Sequence, residues 1–283
     1  LDPTYAPAWA ALADVYSQFA TVLVAKGSPL VYRPQAEEAA IRALQIDPYS
    51  AEAHAALGYV RHYDLRWTEA EQSFRRALEL NPSYPLAHLW LANLLMSRGR
   101  LDEALEHAHM ARELDPFSLI VNANIGWILL AADRREEALQ HLRWTLALDS
   151  TYLQARARLM DALVALDRLE EAREEAERLI DMSQRAPYGV ARLATIHART
   201  GRPDEAKRLL DELLDRARRG YVPPALLSEA YGALDQVEPA VEWLVRSFEE
   251  RSNAVAYFIL RPELGGVHAD PRIQALAARR GAS

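Results

Sequence analysis

Eight histidines and a run of glutamates are the residues of this sequence whose types could first suggest chemistry. His54 and His88 stand 34 positions apart, as do His107 and His141. Imidazoles are common metal ligands, but an ion needs several donors converging on one point. His107 and His109 are two residues apart and on a helix would face different ways. There is no H-E-x-x-H pair, no G-x-S-x-G elbow and no phosphate-cradling glycine loop. Glu170, Glu171, Glu174, Glu175 and Glu177 could do acid–base work, yet Arg173 and Arg178 interleave with them. That pattern reads as a solvated helix face laced with i,i+4 ion pairs. The absence of cysteine excludes disulfides and thiolate nucleophiles. The expectation is a protein that is not an enzyme and holds neither cofactor nor metal.

The elements that would carry any site are helical. Half of the 283 residues are apolar, which is ample for a core, and glycine is scarce at 11. Alanine, leucine, glutamate and arginine dominate, a helix-forming composition. The formal charge of −7 disfavours nucleic acid, whose phosphates call for a basic face. The apolar run 125–132 is among the longest, far short of the roughly 18 residues a bilayer needs. No membrane contact is expected, no signal peptide is evident, and a cytoplasmic location fits the missing cysteines.

The sequence repeats itself. Ala36, Ala70, Ala104, Ala138, Ala172, Ala206 and Ala240 follow one another at intervals of 34. Twelve positions before each, from the second onward, stands a mostly small residue: Gly58, Ala92, Gly126, Met160, Ala194 and Ser228. Two helices can approach closely only where side chains are small, so Ala70 is expected to face Gly58, and Ala138 to face Gly126. Ala70, Phe74 and Ala77 supply one buried stripe on the second helix of a pair. Pro48, Pro82 and Pro116 would stop that helix, and Gly99 and Gly201 would make the tight turn inside a pair. Later in the chain the stopping proline is replaced by Ser150, Gln184, Arg218 and Ser252, which predicts looser or shifted packing there.

A 34-residue unit of this kind resembles the tetratricopeptide repeat. The resemblance implies an all-α fold, a right-handed α-solenoid of about seven helix pairs over residues 1–259. Residues 260–283 would form a turn and a capping helix, Pro271–Arg280. In the first unit, residues 17–35 delay the alanine by 11 positions, and Gly27-Ser28-Pro29 and Pro34 predict a lengthened helix and then a surface loop. Leu1-Asp2-Pro3 matches the repeat ending Leu114-Asp115-Pro116, so an earlier repeat, and a longer protein, are expected. The stretches Ala51–Tyr63, Ala70–Pro82, Leu114–Trp127 and Tyr221–Arg251 and the ending Arg261–Gly281 are similar to the C-terminal repeat region of large bacterial regulators. There such a region follows a winged-helix DNA-binding, nucleotide cyclase or Ser/Thr kinase domain.

The resemblance also implies that the first helix of each pair lines a concave groove. Trp90, Asn124, Arg158 and Arg192 would then form one stripe along it, with Asn93, Tyr59 and Trp127 beside them. An amide and two guanidiniums suit a peptide backbone and a carboxylate, while the aromatic rings supply flat apolar walls. Some tetratricopeptide proteins grip a chaperone's C-terminal carboxylate with two lysines, two asparagines and an arginine. Asn93, Asn124 and Arg158 match three of those positions, but Leu89 and Gln154 stand where the lysines would be. The competing reading is structural: Asn124 bonding to a neighbouring helix, Arg158 pairing with Asp161, and Trp90 and Trp127 packed between repeats.

The function so implied is a non-catalytic protein- or peptide-binding module, the sensory or recruiting part of a larger regulator, with a carboxylate as one candidate group on its ligand. A scaffold that forms a homodimer through its repeats is the alternative. Arg158→Glu with Arg192→Glu is expected to abolish capture and leave the helices intact.

Overall fold

In a computed structural model, residues 3–21, 27–257 and 265–281 are described. Seven helix pairs follow one another: α1 (Ala6–Phe19) with α2 (Pro29–Ile46), α3 (Ala51–Tyr63) with α4 (Trp67–Leu80), and α5 (Pro85–Ser97) with α6 (Leu101–Leu114). Next come α7 (Leu119–Ala131) with α8 (Arg135–Leu148), and α9 (Leu153–Ala165) with α10 (Leu169–Met182). The last two pairs are α11 (Pro187–Arg199) with α12 (Pro203–Arg219), and α13 (Pro224–Ala233) with α14 (Val237–Glu249). Three short helices close the chain: α15 (Asn253–Ala256), α16 (Gly265–His268) and α17 (Pro271–Gly281). The described residues hold no strand. The molecule is an all-α solenoid.

The seven periodic alanines are all fully buried. The small residues of the first helices are used differently from expectation. A Cβ built on Gly58 would lie 2.8 Å from the Phe74 ring, and one on Gly126 would lie 2.4 Å from Leu142. Each glycine makes room for the large side chain one turn beyond the periodic alanine, not for the alanine itself. In the last pair the two stations do meet, where Ser228 Oγ donates to the carbonyl of Ala240.

Inside the pairs, a left-handed residue recurs at Leu65, Gly99, Asp133, Asp167, Gly201 and Asp235. Its 34-residue step shows that every pair from α3 onward uses the same turn, which closes each first helix. Only the glycines betray it in sequence, because glycine alone adopts positive φ without steric cost.

α2 corrects the expected loop. It starts at Pro29, capped by Ser28 Oγ accepting from Leu30 N, and runs through Pro34. Proline lacks the N–H that would bond Leu30, so one ladder bond is forfeited and the helix still continues. α1 ends at Phe19, not lengthened, and the insertion's residues 22–26 lie outside the described residues. So do Leu1 and Asp2 of the repeat-like opening and residues 258–264 of the expected turn.

Toward the C-terminus the packing shifts. α12 runs 17 residues and α13 is shortened to 10, whereas α8 and α10, which also lack the stopping proline, keep 14. Between α10 and α11, both Gln184 and Arg185 take positive φ, and α9 and α11 do not approach as closely as the other neighbouring first helices. α17 packs on α14, with Ile273 and Val267 in one buried cluster with Val241, Leu244 and Phe248.

Candidate functional site

All seven first helices contribute to the wall of a single chamber of about 700 Å³. Tyr59, Trp90, Asn93, Asn124, Trp127, Arg158 and Arg192 all line it. The groove is not an open trough, however. Residues 253–257 fold back across it, and Asn253, Ala254 and Tyr257 form part of the wall.

That closure is held from the far end of the molecule. Buried Arg33, on the extra turns of α2, donates to the carbonyls of Tyr63 and Arg251, to Asp64 Oδ1 and to Asn253 Oδ1. The Tyr63 and Tyr257 hydroxyls share a 2.8 Å hydrogen bond. The Tyr257 ring meets Trp127 at 4.3 Å between centroids, near the edge-to-face geometry aromatic pairs favour. Burial raises the pKa of Tyr59, Tyr63 and Tyr257, so these phenols keep their protons.

The chamber has two halves. One is aromatic, built by Tyr59, Tyr63, Trp90, Trp127 and Tyr257, with the Tyr59 and Trp90 rings 5.0 Å apart. The other is ionic. Asp161 accepts from the Tyr188 hydroxyl at 2.8 Å and pairs with Arg192 at 3.1 Å and with Arg158 at 3.4 Å. Arg192 also reaches Glu229 at 3.3 Å. These side chains span the wider gap between α9 and α11, where small-residue packing gives way. Arg158 joins the halves, its guanidinium 3.7 Å above the Trp127 ring.

These contacts revise the expected roles. Arg158 and Arg192 are not open grips for an incoming carboxylate, because the chain's own carboxylates hold them. The double reversal to glutamate would place two new acids beside Asp161 and Glu229 in a largely buried wall. It would therefore report on folding instead of capture. Asn124 is also committed: its Nδ2 donates to the Ile120 carbonyl and its Oδ1 accepts from Asn93 Nδ2. A carbonyl can only accept, so this chain of bonds fixes both amides and leaves Asn93 Oδ1 as an unfilled acceptor. The contacts of the structural alternative are present for both: Asn124 bonds Asn93 on the neighbouring helix, and Arg158 pairs with Asp161. Trp127 is packed under Tyr257 and Trp90 against Tyr59, and both indoles stay half-buried on the chamber wall.

Two of the histidines serve the backbone. His54 and His88 bond the carbonyls of Pro48 and Pro82, six residues upstream. Asn122 and Arg156, at the same station of the next repeats, bond Pro116 and Ser150 in the same way. His88 Nδ1 and His107 Nδ1 lie 3.0 Å apart. Since His88 Nε2 must donate to its carbonyl, the neutral ring accepts at Nδ1 and His107 donates. His62 is buried against Ser97 Oγ, and burial followed by the Arg33 charge lowers its pKa to about 3. Among the described residues no three metal-ligating side chains cluster, and no helix is long and apolar enough to cross a membrane.

Sequence reasoning missed Tyr63, Tyr188, Asn253 and Tyr257 as wall residues, whereas the repeat register itself puts Asp161 and Glu229 on the groove. Asp161 and Glu229 carried a usable signal. They fall on the 34-residue step of Trp127, with Asp161 three residues after Arg158 and Glu229 on the helix following Arg192. Tyr257 carried none: it falls inside the expected array of 1–259 but follows the last helix pair, which ends with α14.

Family models described as tetratricopeptide repeat match residues 56–118 and 191–223. No curated protein matches the chain. A tetratricopeptide repeat protein from Parabacteroides merdae superposes with a TM-score of 0.59 at 16% identity, covering 93% of this chain and all of that one. A thermophilic tetratricopeptide protein of Thermus thermophilus gives 0.56 at 19% identity, over 65% of this chain and 98% of the other. Pseudomonas aeruginosa PilF gives 0.52 at 21%, over 78% and 97%. Residues 56–118 and 191–223 carry tetratricopeptide repeats, and the fold of the chain is the tetratricopeptide solenoid.

Proposed function

We propose that this chain is a non-catalytic binding module whose inner chamber takes a segment of another polypeptide. Tetratricopeptide proteins are generally protein-interaction modules. The observation that carries the reading here is the convergence of seven first helices on one aromatic-walled chamber of about 700 Å³. That volume lies in the usual range of specific ligand pockets and suits a few residues of a peptide. Trp90 is a half-buried ring in this wall, as is Trp127, which already carries Tyr257 and Arg158 against it.

A peptide array probed with the full chain and with Trp90→Ala tests this. Peptides held by the native chain should be retained about tenfold less by the variant, with the helical circular dichroism signal unchanged. An array that retains nothing, or retains equally with both proteins, would remove the reading.

Within that function, a place as the sensory or recruiting part of a larger bacterial regulator rests on the sequence resemblance. The full open reading frame of the gene that encodes this chain tests it. A second reading, self-association, has one observation in its favour. Met110 and Trp144, and Leu114, Leu148 and Met182, are exposed apolar residues in 34-residue register on the second helices. Sedimentation equilibrium separates the two, since a stable dimer would appear without any added peptide.

A further inference from the structure

We infer that the outer face of α6, α8 and α10 is a second docking site and takes a basic amphipathic helix presented by another protein. Its residues lie on second helices and none of them lines the chamber, so it is a separate site.

The apolar residues are out of place for an exposed helix. One station of the second helices holds Arg42, Arg76, Arg178, Glu212 and Arg246 in the 34-residue register, the charged content usual on a solvated face. On α6 and α8 alone the same station holds Met110 and Trp144, which are 45% and 43% exposed. One turn further along, Leu114, Leu148 and Met182 are exposed too. Single apolar residues on a surface need no explanation. Five in register on three successive second helices form a patch that gains from being covered.

Spacing decides the shape of the cover. Met110 and Leu114 stand four residues apart, as do Trp144 and Leu148, which sets each pair on one ridge of its helix. Ridges of this kind take the side chains of another helix beside them, as the helix pairs inside the solenoid already do. A helix of about 18 residues is about 27 Å long and reaches across three second helices spaced about 10 Å apart.

Charge decides which helix. Glu106 stands one turn before Met110, Glu113 beside Leu114 and Asp181 beside Met182; all three are exposed, and none has an ion pair among the described residues. The cations of this face are mostly taken. Arg143 pairs with Glu171 at 3.2 Å, and Arg178 pairs with Glu174 and Glu175. Half-buried Arg112 is left against three carboxylates, so the rim of the patch is negative. A second copy would set that rim against itself, and the formal charge of −7 would add to the repulsion. An anionic membrane or a nucleic acid meets the same obstacle. Lysines or arginines beside the apolar stripe of a partner helix instead meet carboxylates that have no other cation.

The probe is a designed helix of about 18 residues with leucines on one face and lysines on its flanks. Its controls are the same peptide with glutamates for the lysines, and one with the leucines scattered round the helix. Binding of each labelled peptide to the full chain is read by fluorescence anisotropy at neutral pH. The basic amphipathic peptide should bind about tenfold more tightly than either control. Met110→Arg with Trp144→Arg should weaken that binding about tenfold. The double variant gives α6 and α8 the residue that Arg76 and Arg178 already supply at this station, so the circular dichroism signal should be unchanged. Equal binding of the lysine and glutamate peptides, or equal binding by the native chain and the double variant, would overturn the inference. So would sedimentation in which the native chain dimerises and the double variant does not, because a second copy would then cover the patch. The array keeps this site apart from the chamber. The double variant should retain the peptides that Trp90→Ala releases, and losing them would merge the two sites and overturn this one.

Discussion

Asn122 shows how one residue can be read as a ligand or as a staple until its partners are known. It is fully buried, and its Nδ2 donates to the Pro116 carbonyl at 2.9 Å. His54, His88 and Arg156 do the same at the equivalent station of neighbouring repeats. Three side-chain types share one task there: to donate to a carbonyl in the turn that ends the preceding helix. The station therefore requires a donor and not a particular residue. Asn122→Leu removes both bonds that its Nδ2 makes, to the carbonyls of Pro116 and Ser118, and should cost about 1–3 kcal/mol. Asn122→His should be tolerated within about 1 kcal/mol, because histidine already serves two neighbouring repeats. Urea unfolding of both variants checks this. Equal losses would mean that packing at Asn122 matters more than its bond.

At the scale of the helix pair, the close approach of α7 and α8 depends on a missing side chain. A Cβ at Gly126 would lie 2.4 Å from Leu142, deeper than any side-chain adjustment in a closed core absorbs without strain. Gly126→Ala should therefore destabilise by about 1–3 kcal/mol through overpacking, although alanine is the better helix former. A neutral or stabilising result in thermal unfolding would show that the pair can separate freely. This level of the structure was the most legible in the sequence, since Gly126 and Ala138 announce a helix contact by their spacing alone. What was not legible is which side chain fills the gap, because Leu142 is chosen by the crossing of two helices in space. The start of α2 was misread for a related reason. Pro34 is a helix breaker by local rule, but Ser28 caps the added turns and Arg33 anchors them to distant partners. In the candidate site, the wall residues on the 34-residue step could be listed beforehand. Their partners across α9 and α11 could not, beyond Asp161 one turn from Arg158.

The whole molecule departs from an ideal solenoid at one place. Repeat arrays are held by contacts between neighbours, so their stability is close to a sum over adjacent units. Here Arg33 binds Asn253, 220 positions away, at 2.7 Å, and Tyr63 binds Tyr257 across 194. These bonds tie the first repeats to the residues that follow the last one, and they turn a groove into a chamber. The tail lies outside the 34-residue frame, so no periodic argument could have placed it there. The energetic consequence follows from Arg33, which is 5% exposed and satisfies four acceptors at once. Arg33→Met keeps an unbranched apolar stem of similar reach and removes every one of those bonds. Asp64 keeps Arg251 at 3.6 Å and Arg66 at 3.7 Å, so its charge is not stranded. The loss should be about 3 kcal/mol, at the lower end for removing one partner of a buried ion pair. It should also fall unevenly. Backbone amides of residues 253–257 should lose protection in hydrogen exchange, while those of α9 and α10, which share no contact with Arg33, should keep theirs. Unfolding should broaden as well, since cutting the long-range tie returns the array to neighbour-by-neighbour melting. Adding Asn253→Ala to Arg33→Met should cost less than the sum of the two alone, because both remove the same bond. Unchanged exchange at 253–257 in Arg33→Met would show that Tyr257 alone holds the chain's end in place, and that Arg33 only steadies α2 against α3.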